Sequence, residues 1–305
     1  MRRYRNVIRI SVLVLMVALV YLNLYEKKAG QLGAEQEISD SIVLSAMDRV
    51  LAAENKPMLF RGDFEGGLWS LRIYALSLSD PVAFVTSTTA ARAISLTLLL
   101  SVLLPAVFIL IGGRFFCSWI CPYSLFAEAG TGLRGLLRRV GLEYFTFDLP
   151  RPTAKVFLAL SVILGAILAV PVASLIYPPR LITEGVYHLV LTGTVTAGVV
   201  FLIFLWLGEV VFSPHLFCRR VCPGGALFAL MGRYRLWRVE RVESLCDSCA
   251  LCNRVCPYDL DPAAGTFPGE CDNCGLCMDV CDGRDQHALR YVWRWPGRRS
   301  RKEAA

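Results

Sequence analysis

Eight cysteines stand between residues 246 and 281, in the runs "CDSCALCNRVCP" and "CDNCGLCMDVC", and nothing else in the chain limits its folding so tightly. Each run has the C-x2-C-x2-C-x3-C spacing of bacterial ferredoxins. Three thiolates two residues apart wrap three corners of an iron–sulfur cubane, and the fourth lies too far along to return, so it ligates the other cluster. The spacing therefore predicts Cys246, Cys249, Cys252 and Cys281 around one [4Fe–4S] cluster, and Cys271, Cys274, Cys277 and Cys256 around a second. Zinc also binds thiolates, but its sites pair two C-x2-C knuckles across a longer gap. Pro257 follows the first run as the pattern asks, whereas Asp282 and Gly283 follow Cys281 where proline is customary. A tail from residue 245 to 305 is too small to build a large core unaided, so the clusters are expected to hold it together. It reads as a one-electron relay.

The rest of the chain is apolar. It is 55% hydrophobic and only 19% charged over 305 residues, too greasy for an ordinary soluble domain. Four stretches approach the roughly 20 helical residues that cross a bilayer: Ile8 to Tyr25, Ile94 to Gly113, Val156 to Ile176 and Leu189 to Phe212. The expected fold is a mainly α membrane protein, with four transmembrane helices and a C-terminal two-cluster ferredoxin-like domain. Arg2, Arg3 and Arg5 precede the first stretch as in a secretory signal, but the run ends in "YLNLYEKK" without a small-residue cleavage site, so it reads as an uncleaved anchor.

Arg114, Arg134, Arg138, Arg139, Arg151 and Lys155 fill the link after the second stretch, and Arg219, Arg220, Arg233, Arg235, Arg238 and Arg241 follow the fourth. The link from Tyr177 to His188 holds only Arg180. By the positive-inside rule both termini face the cytoplasm of a multi-pass inner-membrane protein. The net charge of +7 is then explained by topology and lipid headgroups, and nucleic acid is not an expected partner.

Four regions follow: an anchor at 1–25, an external or interfacial segment at 26–93, a membrane domain at 94–244 and the cluster tail at 245–305. Within the second, Ile38, Ile42, Ala46 and Val50 recur four apart, the stripe of an amphipathic surface helix. Asp80 and Pro81 are suited to begin a helical turn. The membrane domain carries a doubled signal, "FCSWICP" and "FCRRVCPGGALF", each placed after an apolar run. Pro122, Pro223, Gly224 and Gly225 predict that each helix breaks near its thiols.

Other redox groups are disfavoured. There is no C-x-x-C-H for covalent haem, and the three histidines, His188, His215 and His287, place no pair mid-membrane. No glycine-rich dinucleotide fingerprint joins a strand to a helix. By elimination the relay takes electrons from a lipid-soluble carrier, and quinol is the obvious one.

Four apolar spans, the doubled Phe-Cys-x-x-x-Cys-Pro motif and a two-cluster tail together resemble the NapH/MauN group of ferredoxin-type membrane proteins, from about Ser79 to Trp295. The resemblance implies a membrane component of a quinol dehydrogenase, working with a periplasmic ferredoxin-type partner or cytochrome to feed a nitrate reductase or a methylamine-utilisation system. The segment from Glu26 to about Arg72 is extra material relative to the shorter NapH pattern.

Cys117, Cys121, Cys218 and Cys222 are expected to converge where two helices leave the membrane. Three roles fit them: redox-active thiols coupled to quinol oxidation, ligands of a third cluster, or buried apolar residues. Glu209, near the end of the fourth stretch, suits a proton acceptor or an arginine's partner. The leading expectation is an electron-transfer subunit linked to the quinone pool. The rival is an accessory reductase that supplies electrons to the cofactor site of a client enzyme.

Overall fold

The computed structural model describes residues 2–32, 72–73, 76–141, 147–282 and 287–294. The amphipathic stripe of Ile38, Ile42, Ala46 and Val50 lies outside the described residues. Helix α1 (Arg2–Leu32) comes first, followed by the short antiparallel strands β1 (Arg72–Ile73) and β2 (Leu76–Ser77). Then come α2 (Pro81–Ala91), α3 (Leu96–Gly112), α4 (Phe115–Trp119) and α5 (Tyr123–Arg139). A second series follows as α6 (Thr153–Leu168), α7 (Val172–Leu175), α8 (Pro178–Thr192), α9 (Ala197–Val211), α10 (Leu216–Arg220) and α11 (Pro223–Gly232).

These two series are built alike, and local chemistry explains why. Helices α2 and α8 both open with proline at the first positions, where a missing N–H costs nothing. Helices α3 and α9 are apolar and capped by a hydroxyl: Ser95 accepts from the Leu98 amide at 3.2 Å, and Thr196 from the Val199 amide at 3.4 Å. The short α4 and α10 carry the first thiol of each motif and end in matching turns. The Cys121 amide bonds to the Phe116 carbonyl at 2.9 Å and the Cys222 amide to the Phe217 carbonyl at 2.8 Å.

The halves exchange partners when they pack. Helix α1 of the first lies on α8 of the second, while α6 of the second lies on α2 of the first. Helices α5 and α9 pair, as do α3 and α11. The core they enclose contains Phe116, Cys121, Tyr123, Tyr177, Phe217, Cys222 and Phe228. Phe116 meets Phe228 edge-on at 5.7 Å and Phe217 meets Tyr123 at 6.2 Å, so the phenylalanine of each motif packs into the other half.

Among the described residues one helix, Arg3–Leu22, is long and apolar enough to cross a bilayer. The other apolar helices are shorter because the sequence breaks them. Ala169 adopts a left-handed conformation that ends α6, and Gly193 does the same after α8, so the run from Leu189 to Phe212 is shared between α8 and α9. The seventeen residues of α3 span about 25 Å. Its outer face shows Leu96, Leu99, Leu100, Leu103, Leu104 and Phe108 to the surroundings, a continuous apolar stripe that water would penalise.

After α11, strand β3 (Trp237–Arg241) pairs antiparallel with β4 (Leu289–Trp293), with Trp237 opposite Trp293 and Arg241 opposite Leu289. This ribbon closes the tail on itself. Between its strands lie the short helix α12 (Leu251–Arg254) and α13 (Leu276–Asp282).

The tail is bolted to the helical body through one buried loop. Asn273, 0% exposed, donates to the Gly112 carbonyl at 3.0 Å and the Trp237 carbonyl at 2.9 Å, and its own carbonyl accepts from Trp119 at 3.1 Å and Tyr291 at 2.7 Å. Gly269 passes so close to α11 that a Cβ there would collide with the Ala229 carbonyl.

Candidate metal centres

Two cavities in the tail are lined by the cysteines. One, of about 380 Å³, brings together Cys246, Cys249, Cys252 and Cys281. The other, of about 350 Å³, brings together Cys256, Cys271, Cys274 and Cys277. Each combines three thiols from one run with the last thiol of the other. None of the eight forms a disulfide. Among the described residues no three His, Cys, Asp or Glu side chains close on one point as a single metal ion requires. Four thiols lining one hollow have instead the donor chemistry of an iron–sulfur cubane site.

The two cavities are not equivalent. The first is at the surface, with Cys249 exposed. The second faces the helical body: Cys271 and Cys274 are buried, and burial pushes the Cys271 thiol up to about 11. A thiol so raised is a poor free nucleophile.

Buried arginines gather around this inner cavity. Arg5, 1% exposed, donates to the Cys274 carbonyl at 3.1 Å and is paired with Glu128. Arg9 joins Glu128 at 2.9 Å and donates to the Ser118 carbonyl at 2.6 Å. Arg235 holds the Phe267 and Pro268 carbonyls at 2.9 and 2.8 Å. Arg114 lies over the Tyr258 ring at 4.5 Å and donates to the carbonyls of Cys218 at 2.9 Å and Glu270 at 3.3 Å.

The Phe-Cys-x-x-x-Cys-Pro thiols do come together. Cys121 and Cys222 are buried in the body's core, with Cys117 and Cys218 packed against it. Each second cysteine sits at the start of a long helix, followed by proline. The Cys222 sulfur accepts from the Gly225 amide at 3.5 Å and so caps α11, whereas α5 starts without a side-chain cap and the Cys121 carbonyl accepts from the Ser124 amide at 3.2 Å.

Glu209 is 5% exposed and occupied on both oxygens. It accepts from the Tyr123 hydroxyl at 3.0 Å and the Phe217 amide at 2.9 Å, tying α5 to the start of α10. Two polar groups that the sequence did not single out for chemistry lie beside the thiols, Asp80 and Tyr177. They stand close enough to couple electrostatically, yet Asp80 Oδ2 and the Tyr177 hydroxyl lack hydrogen-bond partners in acceptable geometry. Their one visible sign in sequence is that each precedes the proline opening a helix.

A family described as a 4Fe-4S binding domain matches the chain twice, at residues 94–140 and 194–241. These are the two helical halves with their paired cysteines, not the tail. The chain is 30% identical over 205 residues to the methylamine utilization ferredoxin-type protein MauN of Paracoccus denitrificans, covering 65% of this chain and 67% of that protein.

The chain belongs to the MauN/NapH family of ferredoxin-type proteins.

MauN of Methylobacillus flagellatus is 31% identical over 64% of this chain and 66% of its own length. The ferredoxin-type protein NapH of Haemophilus influenzae is 26% identical over 65% of this chain and 66% of its own. The match therefore spans about two thirds of these family members. No solved structure matches the chain.

Proposed function

We propose that this protein is a membrane electron relay that takes electrons from the quinol pool and carries them through two [4Fe–4S] centres in its tail. Cys246, Cys249, Cys252 and Cys281 would hold the outer centre; Cys256, Cys271, Cys274 and Cys277 would hold the inner one. The observation that carries this reading is the inequivalence of the two cavities. One is at the surface beside exposed Cys249, and the other lies against the helical body. Such an arrangement suits passage from a membrane donor to a separate protein. Bound clusters would supply one-electron chemistry and make no bond to substrate.

The protein's own residues supply position. Asn273 fixes the inner loop against α3, and the buried arginines place positive charge beside ligands that carry net negative charge. The apolar outer faces of α3, α6 and α9, added to the long α1, support four helices in lipid. The basic residues at the tail-proximal ends favour cytoplasmic termini. The MauN relatives favour a methylamine-utilisation system as the client.

Anaerobic addition of quinol to the full chain in lipid tests this. Cluster reduction seen by paramagnetic resonance, and abolished by a quinone-site inhibitor, is the expected result. Clusters that ignore quinol but exchange electrons with a client enzyme would replace this reading with the accessory reductase.

A further inference from the structure

We propose that Cys117, Cys121, Cys218 and Cys222 together hold a third iron–sulfur centre, shared between the two halves of the helical body and adding to the relay proposed above. Each matched 4Fe-4S stretch contains only two cysteines, Cys117 and Cys121 in one and Cys218 and Cys222 in the other. A cluster there needs four thiolates, so it has to be assembled across the halves. The fold supplies that assembly: the partner exchange that seats Phe116 on Phe228 and Phe217 on Tyr123 also draws the four thiols into one apolar cluster.

The thiols are mutual neighbours without being bonded. Cys121 feels the charge of Cys117 and Cys222, and Cys218 that of the other three, yet all four are free. Among the described residues they, like the tail cysteines, miss the geometry of a single-ion site. Like the tail cysteines they are free thiols gathered in one place, here the core of the body.

Their surroundings suit an anion. A cluster on four thiolates is negatively charged, and burying it requires donors and cations nearby. The Cys222 sulfur is met by the Gly225 amide at 3.5 Å, at the start of α11. The Arg114 guanidinium donates to the Cys218 carbonyl at 2.9 Å, which places a buried cation beside the thiols. A core of inert cysteines would need none of these groups.

The site is also connected. Arg114 donates to the Cys218 carbonyl and stacks over Tyr258, and Tyr258 lines the inner tail cavity. One buried side chain joins the shared thiols to the centre that lies nearest them.

Iron and acid-labile sulfide counted on the anaerobically purified full chain in lipid decide the matter. Two tail cubanes hold about eight iron atoms, so the third centre raises the count to about ten if it is a [2Fe–2S] unit and about twelve if a cubane. Cys117→Ser and Cys218→Ser, one from each half, are each expected to bring the count to about eight with the tail signals intact. A wild-type count of about eight overturns the shared centre and leaves the tail relay standing. A chain without iron overturns both. The wild-type count needs no variant, so it decides even if a serine variant fails to accumulate.

Discussion

Arg5 reaches the carbonyl of Cys274 at 3.1 Å, joining the first turns of the amino-terminal helix to the inner cysteine loop of the tail. The same guanidinium is paired with Glu128, 14% exposed, which also takes Arg9. Removing Arg5 leaves Glu128 its pairing with Arg9 but strips the buried Cys274 carbonyl of this donor, and an unpaired buried acceptor costs about 1–3 kcal/mol. Arg5→Ala is therefore expected to loosen the tail from the body. Inner-centre paramagnetic signals should fade on standing while outer-centre signals persist; equal survival of both would contradict this.

The crossed lining of the two cavities predicts which substitutions behave alike. Cys256→Ser should abolish the same spectroscopic signal as Cys274→Ser, although Cys256 belongs to the other sequence run. Cys281→Ser should behave like Cys249→Ser. If loss of Cys256 instead matches loss of Cys249, each run holds its own cluster and the crossing is wrong.

Arg114 is 2% exposed and sits over Tyr258 on the wall of the inner cavity. Its charge favours the reduced, more negative state of anything bound there. Arg114→Gln is expected to lower the inner centre's midpoint potential by about 59 mV or more, a tenfold change for one electron. Arg114→Lys keeps the charge and should stay near wild type. A redox titration in which both variants fall equally would make the role steric.

The arginines mark where sequence reading stopped. The grouping of the tail thiols was legible because the spacing is local, and the structure gathers the eight cysteines into the same two crossed sets. The breaks at the thiols were legible too, from Pro122, Pro223, Gly224 and Gly225. Arg5 and Arg114 read only as basic flanks of apolar stretches and Arg9 was not singled out, since a carbonyl acceptor such as that of Cys274 or Cys218 leaves no trace in residue identity. The left-handed turns at Ala169 and Gly193 were hidden inside runs whose average hydropathy looked continuous. Asp80 gave the helix start expected of it, with its carboxylate accepting from the Val82 amide at 2.7 Å, but its closeness to Tyr177 depends on the packing of two distant halves.

His215 provides a pH test. Burial lowers it from 6.5 to about 4, with Arg9, Arg5 and Arg219 adding to the effect and Glu128 opposing it. The unfolded chain then binds the extra proton first, so this contribution to stability is full above about 6.5 and is lost as pH falls toward 4. The backbone at His215 is left-handed, with φ of 56°, which asparagine tolerates. His215→Asn should flatten the acid side of the melting-temperature profile relative to wild type. Parallel profiles would show that His215 stays neutral in both states.

The interlocked packing of the halves has a consequence for biogenesis. When the ribosome has delivered only the first series, α2 lacks the α6 it rests on and α1 lacks α8. Neither half can mature by itself. The nascent chain must wait for its last helices before the interior closes, and any metal delivered to that interior has to arrive late.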